Sequence, residues 1–272
     1  MINNTDSKQP EYLVVKATRG IDWVKNGTEL LRGNFGRWFI LFLVYLVLAL
    51  SSTVHIFTSL VFFILHPVLW GGIFLAAVST LAGLEWSASI LFEPLKKHAG
   101  ELIKLGSIIA GVNYMIAVYL ISHLSGLVDL EELNNLLITM KQTNDAAPLL
   151  AFFSDPLLLQ EILLAILIAL LVALPLTMAG WFAPVLIMEK GNTAFQALRV
   201  SFQACTANFM PFMIYGLVGF VLLLFVVMSM YIALIFIGPL FFTSYYCSYN
   251  DIFPDESKND QDEDESNSTF VV

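Results

Sequence analysis

Four long stretches of this 272-residue chain contain no Asp, Glu, Lys or Arg: Trp38 to Leu84, Leu105 to Val128, Ile162 to Met188 and Val200 to Asn250. A helix crossing a hydrocarbon core about 30 Å thick needs roughly 20 apolar residues. The two middle runs therefore hold one crossing each, and the first and last runs hold two each with a tight turn between. Charged residues make up 13% of the chain, against about 25% in soluble domains. Runs such as Ile162 to Val172 do not alternate as barrel strands do. The expected fold class is all-α integral membrane, with six transmembrane helices at about 38–53, 56–84, 105–125, 162–188, 208–228 and 231–249. They pair as three hairpins. Ser51-Ser52-Thr53, with His55 beyond it, marks the first turn, and Met228 to Tyr231 marks the last.

The basic residues set the expected orientation. Six precede the first span (Lys8, Lys16, Arg19, Lys25, Arg32, Arg37), and Lys96, Lys97, Lys104, Lys190, Arg199 and Lys258 share that side in a six-crossing chain, leaving Lys141 opposite. The positive-inside rule then puts both termini in the cytoplasm. The acidic segment 129–155 becomes the one sizeable loop outside. Residues 1–18 read as a polar N-terminal tail, 19–253 as the membrane domain and 254–272 as a disordered acidic tail. Seven acids between Asp255 and Glu265 supply most of the net charge of -9, and no apolar side chain there offsets the entropy of ordering. Cys205 and Cys247 read as reduced, packed thiols, since two cysteines make no disulfide framework.

An amphipathic interfacial helix precedes each hairpin in this reading. Asp22, Lys25, Glu29 and Arg32 recur at helical spacing before the first. Glu93, Lys97, Glu101 and Lys104 do so before the second. Before the third, Asn192, Gln196, Arg199, Gln203 and Thr206 form the polar stripe, and Phe195, Leu198, Phe202 and Cys205 the apolar one. Such helices suit the headgroup plane. Asn34-Phe35 opens the first hairpin and Asn208-Phe209 the third, each followed by a proline, Pro67 or Pro239. An internal triplication of helix plus hairpin accounts for this, with the outer loop inserted in the middle copy.

Chemistry is sparse. The expected spans contain no Asp, Glu, Lys or Arg and no acid or base except histidine, whereas charge-moving transporters hold such groups in the membrane. His66, beside Pro67, reads either as an interhelical hydrogen-bonding residue, able to reach the carbonyl the proline leaves unpaired, or as a proton or ligand site. Asn113, Tyr114 and Tyr215 complete the candidates for a polar cleft, and the alternative for each is a hydrogen bond to a neighbouring helix. Ala165, Ala169 and Ala173 offer a small-residue face. No Gly-x-Ser-x-Gly, phosphate loop or His-Glu-x-x-His is present, so no catalytic, cofactor or metal residues are assigned and the chain is read as a non-enzyme.

Several words in order, Trp181-Phe182-Ala183-Pro184-Val185-Leu186, Ala194 to Cys205, Asn208-Phe209-Met210-Pro211-Phe212 and Ser248 to Phe253, resemble the bacterial membrane-protein family called the BPSS1780 family. Arg19-Gly20-Ile21-Asp22-Trp23 and Pro67-Val68 fit it too, so the similarity covers roughly residues 17 to 253. The YciC-like and glycerophosphodiester phosphodiesterase membrane-domain proteins are similar more distantly. Asn250 stands where the family pattern has arginine. The resemblance implies a bacterial inner membrane protein and carries over no catalytic residue. A non-enzymatic membrane scaffold or accessory subunit is expected, with a carrier or binding protein for lipids or other apolar molecules as the alternative. The expected partners are membrane lipids and a protein docking on the membrane helices or the acidic tail, and no nucleic acid.

Overall fold

The computed structural model describes residues 12–127 and 130–254. Regular structure there is helical throughout, with no strand among the described residues: α1 Arg19–Arg32, α2 Phe35–Ser51, α3 Ile56–Leu81, a 3-10 turn Ala88–Phe92, α4 Leu95–Leu127, α5 Leu130–Thr143, α6 Ala147–Phe153, α7 Pro156–Trp181, α8 Ala183–Lys190, α9 Ala194–Ala207, α10 Phe209–Met228 and α11 Leu234–Ile252. Four stretches are long and apolar enough to cross a membrane: α3, α4, the Pro156–Lys190 stretch and α10. A fifth arises if α1 and α2, bent by 108° at their junction, count as one broken span. The expected six therefore exceed what helix length and hydropathy support. Helix α2 has only 17 residues, about 26 Å at 1.5 Å per residue. Helix α11 begins at Leu234, three residues after the expected start, and ends in the polar run Tyr249-Asn250-Asp251.

Both expected turns are present. Ser51, Ser52 and Thr53 each donate a hydroxyl hydrogen bond to the carbonyl three residues earlier, which ends α2. His55 then caps α3 by accepting from the Phe57 amide at 3.1 Å. At the other turn Met230 and Tyr231 adopt φ of 51° and 68°, and Ser229 Oγ accepts from the Ala233 amide at 3.0 Å. Helix α3 continues through Pro67 and α11 through Pro239.

Four segments depart from the sequence reading. The expected second interfacial helix is not separate: it is the start of α4, which kinks at His98 (φ -123°, ψ 16°). The expected span 162–188 breaks at Phe182, just before Pro184, into α7 and α8. The segment read as a loop, 129–155, forms α5 and α6. Of the N-terminal tail, Leu13 donates its amide to the Ile252 carbonyl at 2.8 Å and is thus tied down, while residues 1–11 and the acidic tail from 255 lie outside the described residues.

The chain divides into two compact units, residues 1–106 with 178–272, and residues 107–177. In the first, Trp38, Leu41, Phe42, Leu69, Ile73 and Leu91 form a buried cluster with Phe242. Gly72 lets the Leu91 backbone reach α3, and Gly238 admits the Phe42 ring; a methyl group at either would collide. Helix α9 is held by its capping box of Thr193 and Gln196. It buries the small face Ala194, Ala197, Ser201 and Ala204, while Phe195 is 73% exposed. Of the expected apolar stripe, Phe195 and Phe202 point outward and Cys205 is buried with the small face, because close helix contact selects small side chains. In the second unit, Leu158, Ala165 and Ala169 are the buried positions of α7.

Candidate functional site

Polar groups far apart in sequence meet at one end of the first unit. Arg19 reaches Asp251 through Nε at 2.8 Å and Nη2 at 2.5 Å, and the Trp23 indole donates to the same carboxylate at 2.8 Å. The three donors occupy both carboxylate oxygens, a bidentate charge-assisted arrangement. The hydrogen bond that Arg19 donates to Asp251, with that carboxylate's charge, holds the guanidinium above its ordinary range. Buried Asn208 accepts from the Val15 amide at 2.8 Å and donates to the carbonyls of Leu13 and Ala204 at 2.9 and 3.0 Å. It stitches the segment before α1 to the start of α10. Two glycines let α1 approach this closely. A methyl at Gly20 would collide with the Pro211 carbonyl, and one at Gly27 would lie 2.8 Å from the Ser244 amide nitrogen.

Aromatic rings fill the interior behind this anchor. Trp23 packs edge-on to Tyr215 with centroids 5.7 Å apart, Trp181 lies 5.9 Å from both Phe212 and Tyr245, and Trp70 lies 4.6 Å from Tyr245. Their polar atoms are largely paired inside. Tyr245 donates to the Trp181 carbonyl at 2.9 Å, and Ser201 Oγ bridges the Phe182 amide and the Met178 carbonyl.

The residues singled out from sequence fall in both units. His66 accepts a 2.7 Å hydrogen bond at Nε2 from the Trp70 indole, so its partner is a side chain one turn on and not the carbonyl freed by Pro67. The rings of Tyr45 and Phe62 flank it at 6.5 and 5.8 Å. Tyr215 is buried and its hydroxyl pairs with Ser244 Oγ at 2.8 Å. In the second unit Asn113 donates to the Ile109 carbonyl of its own helix at 2.9 Å, and Tyr114 is 59% exposed. His66 and Tyr215 are thus each closed into a local pair. Among the described residues, no three His, Cys, Asp or Glu side chains gather as a metal site. Sequence reading missed Asp251 as an anchor and Asn208 as a clamp. Their signal was present as an acid and an amide at the ends of otherwise apolar helices.

The chain is 26% identical over 261 residues to "Probable inner membrane protein BTH_II0599" of Burkholderia thailandensis, across 89% of this chain and 94% of that protein. No protein-family model matches the chain. No solved structure matches it. The chain is therefore similar, over most of its length, to a bacterial protein named as an inner membrane protein, and it carries several apolar helices of crossing length. The wider likeness to YciC-like proteins finds no support.

Proposed function

We propose that this chain is a polytopic inner membrane protein of the BPSS1780 type, with both termini in the cytoplasm, acting non-enzymatically as a scaffold or accessory subunit. The observation that carries this reading is the closed interior of the first unit. His66 is spent on Trp70 within α3, Tyr215 pairs with Ser244 across α10 and α11, and Asp251 pairs with Arg19 and Trp23 across α11 and α1, so the Tyr215 and Asp251 side chains join helices together. Six crossings are retained by letting the short α2 and α11 cross a locally thinned bilayer. In that arrangement α1 and α9 lie in the cytoplasmic headgroup plane.

Single cysteines in a cysteine-free background test the orientation. A cysteine at Thr143 should label from the periplasm, and one at Ser257 should label only after the cells are broken. A periplasmic C-terminus would overturn the six-span count. Isolation in mild detergent tests the role: a second protein retained at fixed stoichiometry supports the scaffold, and lipid retained alone favours a carrier. The carrier has one observation of its own, an apolar cavity of about 160 Å³ lined by Leu48, Phe57, Val61, Phe62 and Leu65. Its volume suits a short length of acyl chain.

A further inference from the structure

Three helices of the first unit end around a cavity of about 380 Å³ that no part of the reading above uses. Phe74 comes from α3, Glu189 and Lys190 from the end of α8, and Tyr246, Tyr249 and Phe253 from the end of α11 and just beyond. The rings form a continuous group, with Phe74 centred 5.3 Å from Tyr246 and 5.1 Å from Tyr249, and Tyr249 stacked on Phe253 at 5.0 Å. Aromatic faces attract organic cations. The C-terminal ends of α3, α8 and α11 add partial negative charge, and Glu189 adds a full one. Lys190, the next residue, is exposed and lines the same cavity. The cavity is therefore dipolar, cation-seeking at Glu189 and the helix ends and anion-seeking at Lys190. A plain anion would meet Glu189 and three helix ends, and a plain cation would leave Lys190 unused.

We propose that this cavity binds an aminoalkyl phosphate group, the ammonium against the partly exposed Tyr246 ring and Glu189 and the phosphate on Lys190. Its position suits a zwitterionic lipid headgroup. Val78 and Leu81 on the cavity wall are 40% and 61% exposed, so apolar α3 surface runs from the cavity where acyl chains would lie. A soluble aminoalkyl phosphate carries the same chemistry.

The test takes the full-length protein in detergent with equal dioleoyl-phosphatidylethanolamine and dioleoyl-phosphatidylglycerol added, and counts retained lipid by native mass spectrometry. In parallel, O-phosphoethanolamine is titrated calorimetrically into delipidated protein. The expected result is about tenfold preference for the ethanolamine lipid, lowered about tenfold by Lys190→Glu and by Tyr246→Leu. Lys190 is exposed, so its variant keeps the proposal falsifiable if Tyr246→Leu does not fold. Variant-sensitive binding of the lipid assigns the source to the bilayer, and variant-sensitive binding of O-phosphoethanolamine alone assigns a soluble source. Equal retention of the two lipids with no O-phosphoethanolamine binding, or binding that both variants leave intact, overturns the site.

Discussion

The two units solve the problem of folding in an apolar solvent differently. The first buries whole aromatic side chains, with Trp23, Trp38, Phe182 and Tyr245 at 1% exposure or less, and fastens its helices with Asp251, Asn208 and Ser201. In the second, the buried hydrophobics among the described residues are Ala110, Leu158, Ala165 and Ala169, while Leu163, Leu167 and Leu171 are 58%, 63% and 74% exposed. Lipid tails are as apolar as leucine, so that exposure costs little in a bilayer, and helix contact there rests on small side chains and packing. The difference teaches which contacts specify the fold. Polar fastening and ring packing fix the first unit, and the second buries only a few, mostly small, side chains.

The largest expected effect breaks the first unit at its tightest approach. Gly27→Leu forces a side chain into the Ser244 backbone, and α1 cannot yield without releasing Trp23. The melting temperature in detergent should fall by about 10 °C or more. Gly111→Leu in the second unit meets open space and should move it by less than about 2 °C. Equal shifts from the two would remove the contrast.

Second in size is the loss of the Asp251 carboxylate. Asp251→Ala leaves the Arg19 guanidinium and the Trp23 indole without their acceptor, at a cost of about 2–3 kcal/mol. Combining it with Arg19→Leu should cost less than the sum of the two, because they remove one shared contact. Strict additivity in denaturant titrations would mean that the pair is not a fastening.

Much of this architecture was readable before any coordinates. Charge-free run lengths with one polar interruption placed the turns at Ser51 to Thr53 and Met228 to Tyr231, because a turn in such a run needs groups to satisfy its own backbone. The alanine face at 165 and 169 was readable from spacing and is buried, while Ala173 is only half-buried. The helices α5 and α6 were missed although Leu133, Leu136, Leu137 and Met140 recur at helical spacing; acidic composition was allowed to outweigh period. The indole bonded to His66 stands four residues on, within reach of a spacing argument. The Arg19 and Asp251 pairing spans 232 positions, and no local pattern encodes a partner so remote. For the polar-cleft candidates, residue type gave the capacity to bond but not whether the partner was internal.

A smaller effect probes the second unit where it is tight. Ala165→Leu adds three carbons at a position with 0% exposure and should destabilise by about 1–3 kcal/mol through overpacking. On the same helix Leu171→Ala, at a lipid-facing position, should change stability by less than about 0.5 kcal/mol. A larger loss from the second variant would show that exposed leucines of this unit are covered by something other than lipid.

The smallest expected effect concerns a histidine–carboxylate contact in the second unit. His123 Nε2 lies 3.5 Å from Glu161 Oε2, with the side chains 31% and 41% exposed. Tyr119 stacks on the imidazole at 5.7 Å. Two environments give opposite forecasts for Glu161→Gln. In the wet interfacial layer, where the six-span reading puts the outer ends of α4 and α7, the pair is screened and its loss should cost under about 1 kcal/mol. In dry hydrocarbon, removing one member would strand the other, at a cost of several kcal/mol. The half-open geometry favours the first, so the variant should melt within about 2 °C of the parent and lose little more in high salt. A drop comparable to that of Asp251→Ala would place this end of the helices inside the hydrocarbon, and the second unit would then hold a polar fastening of its own.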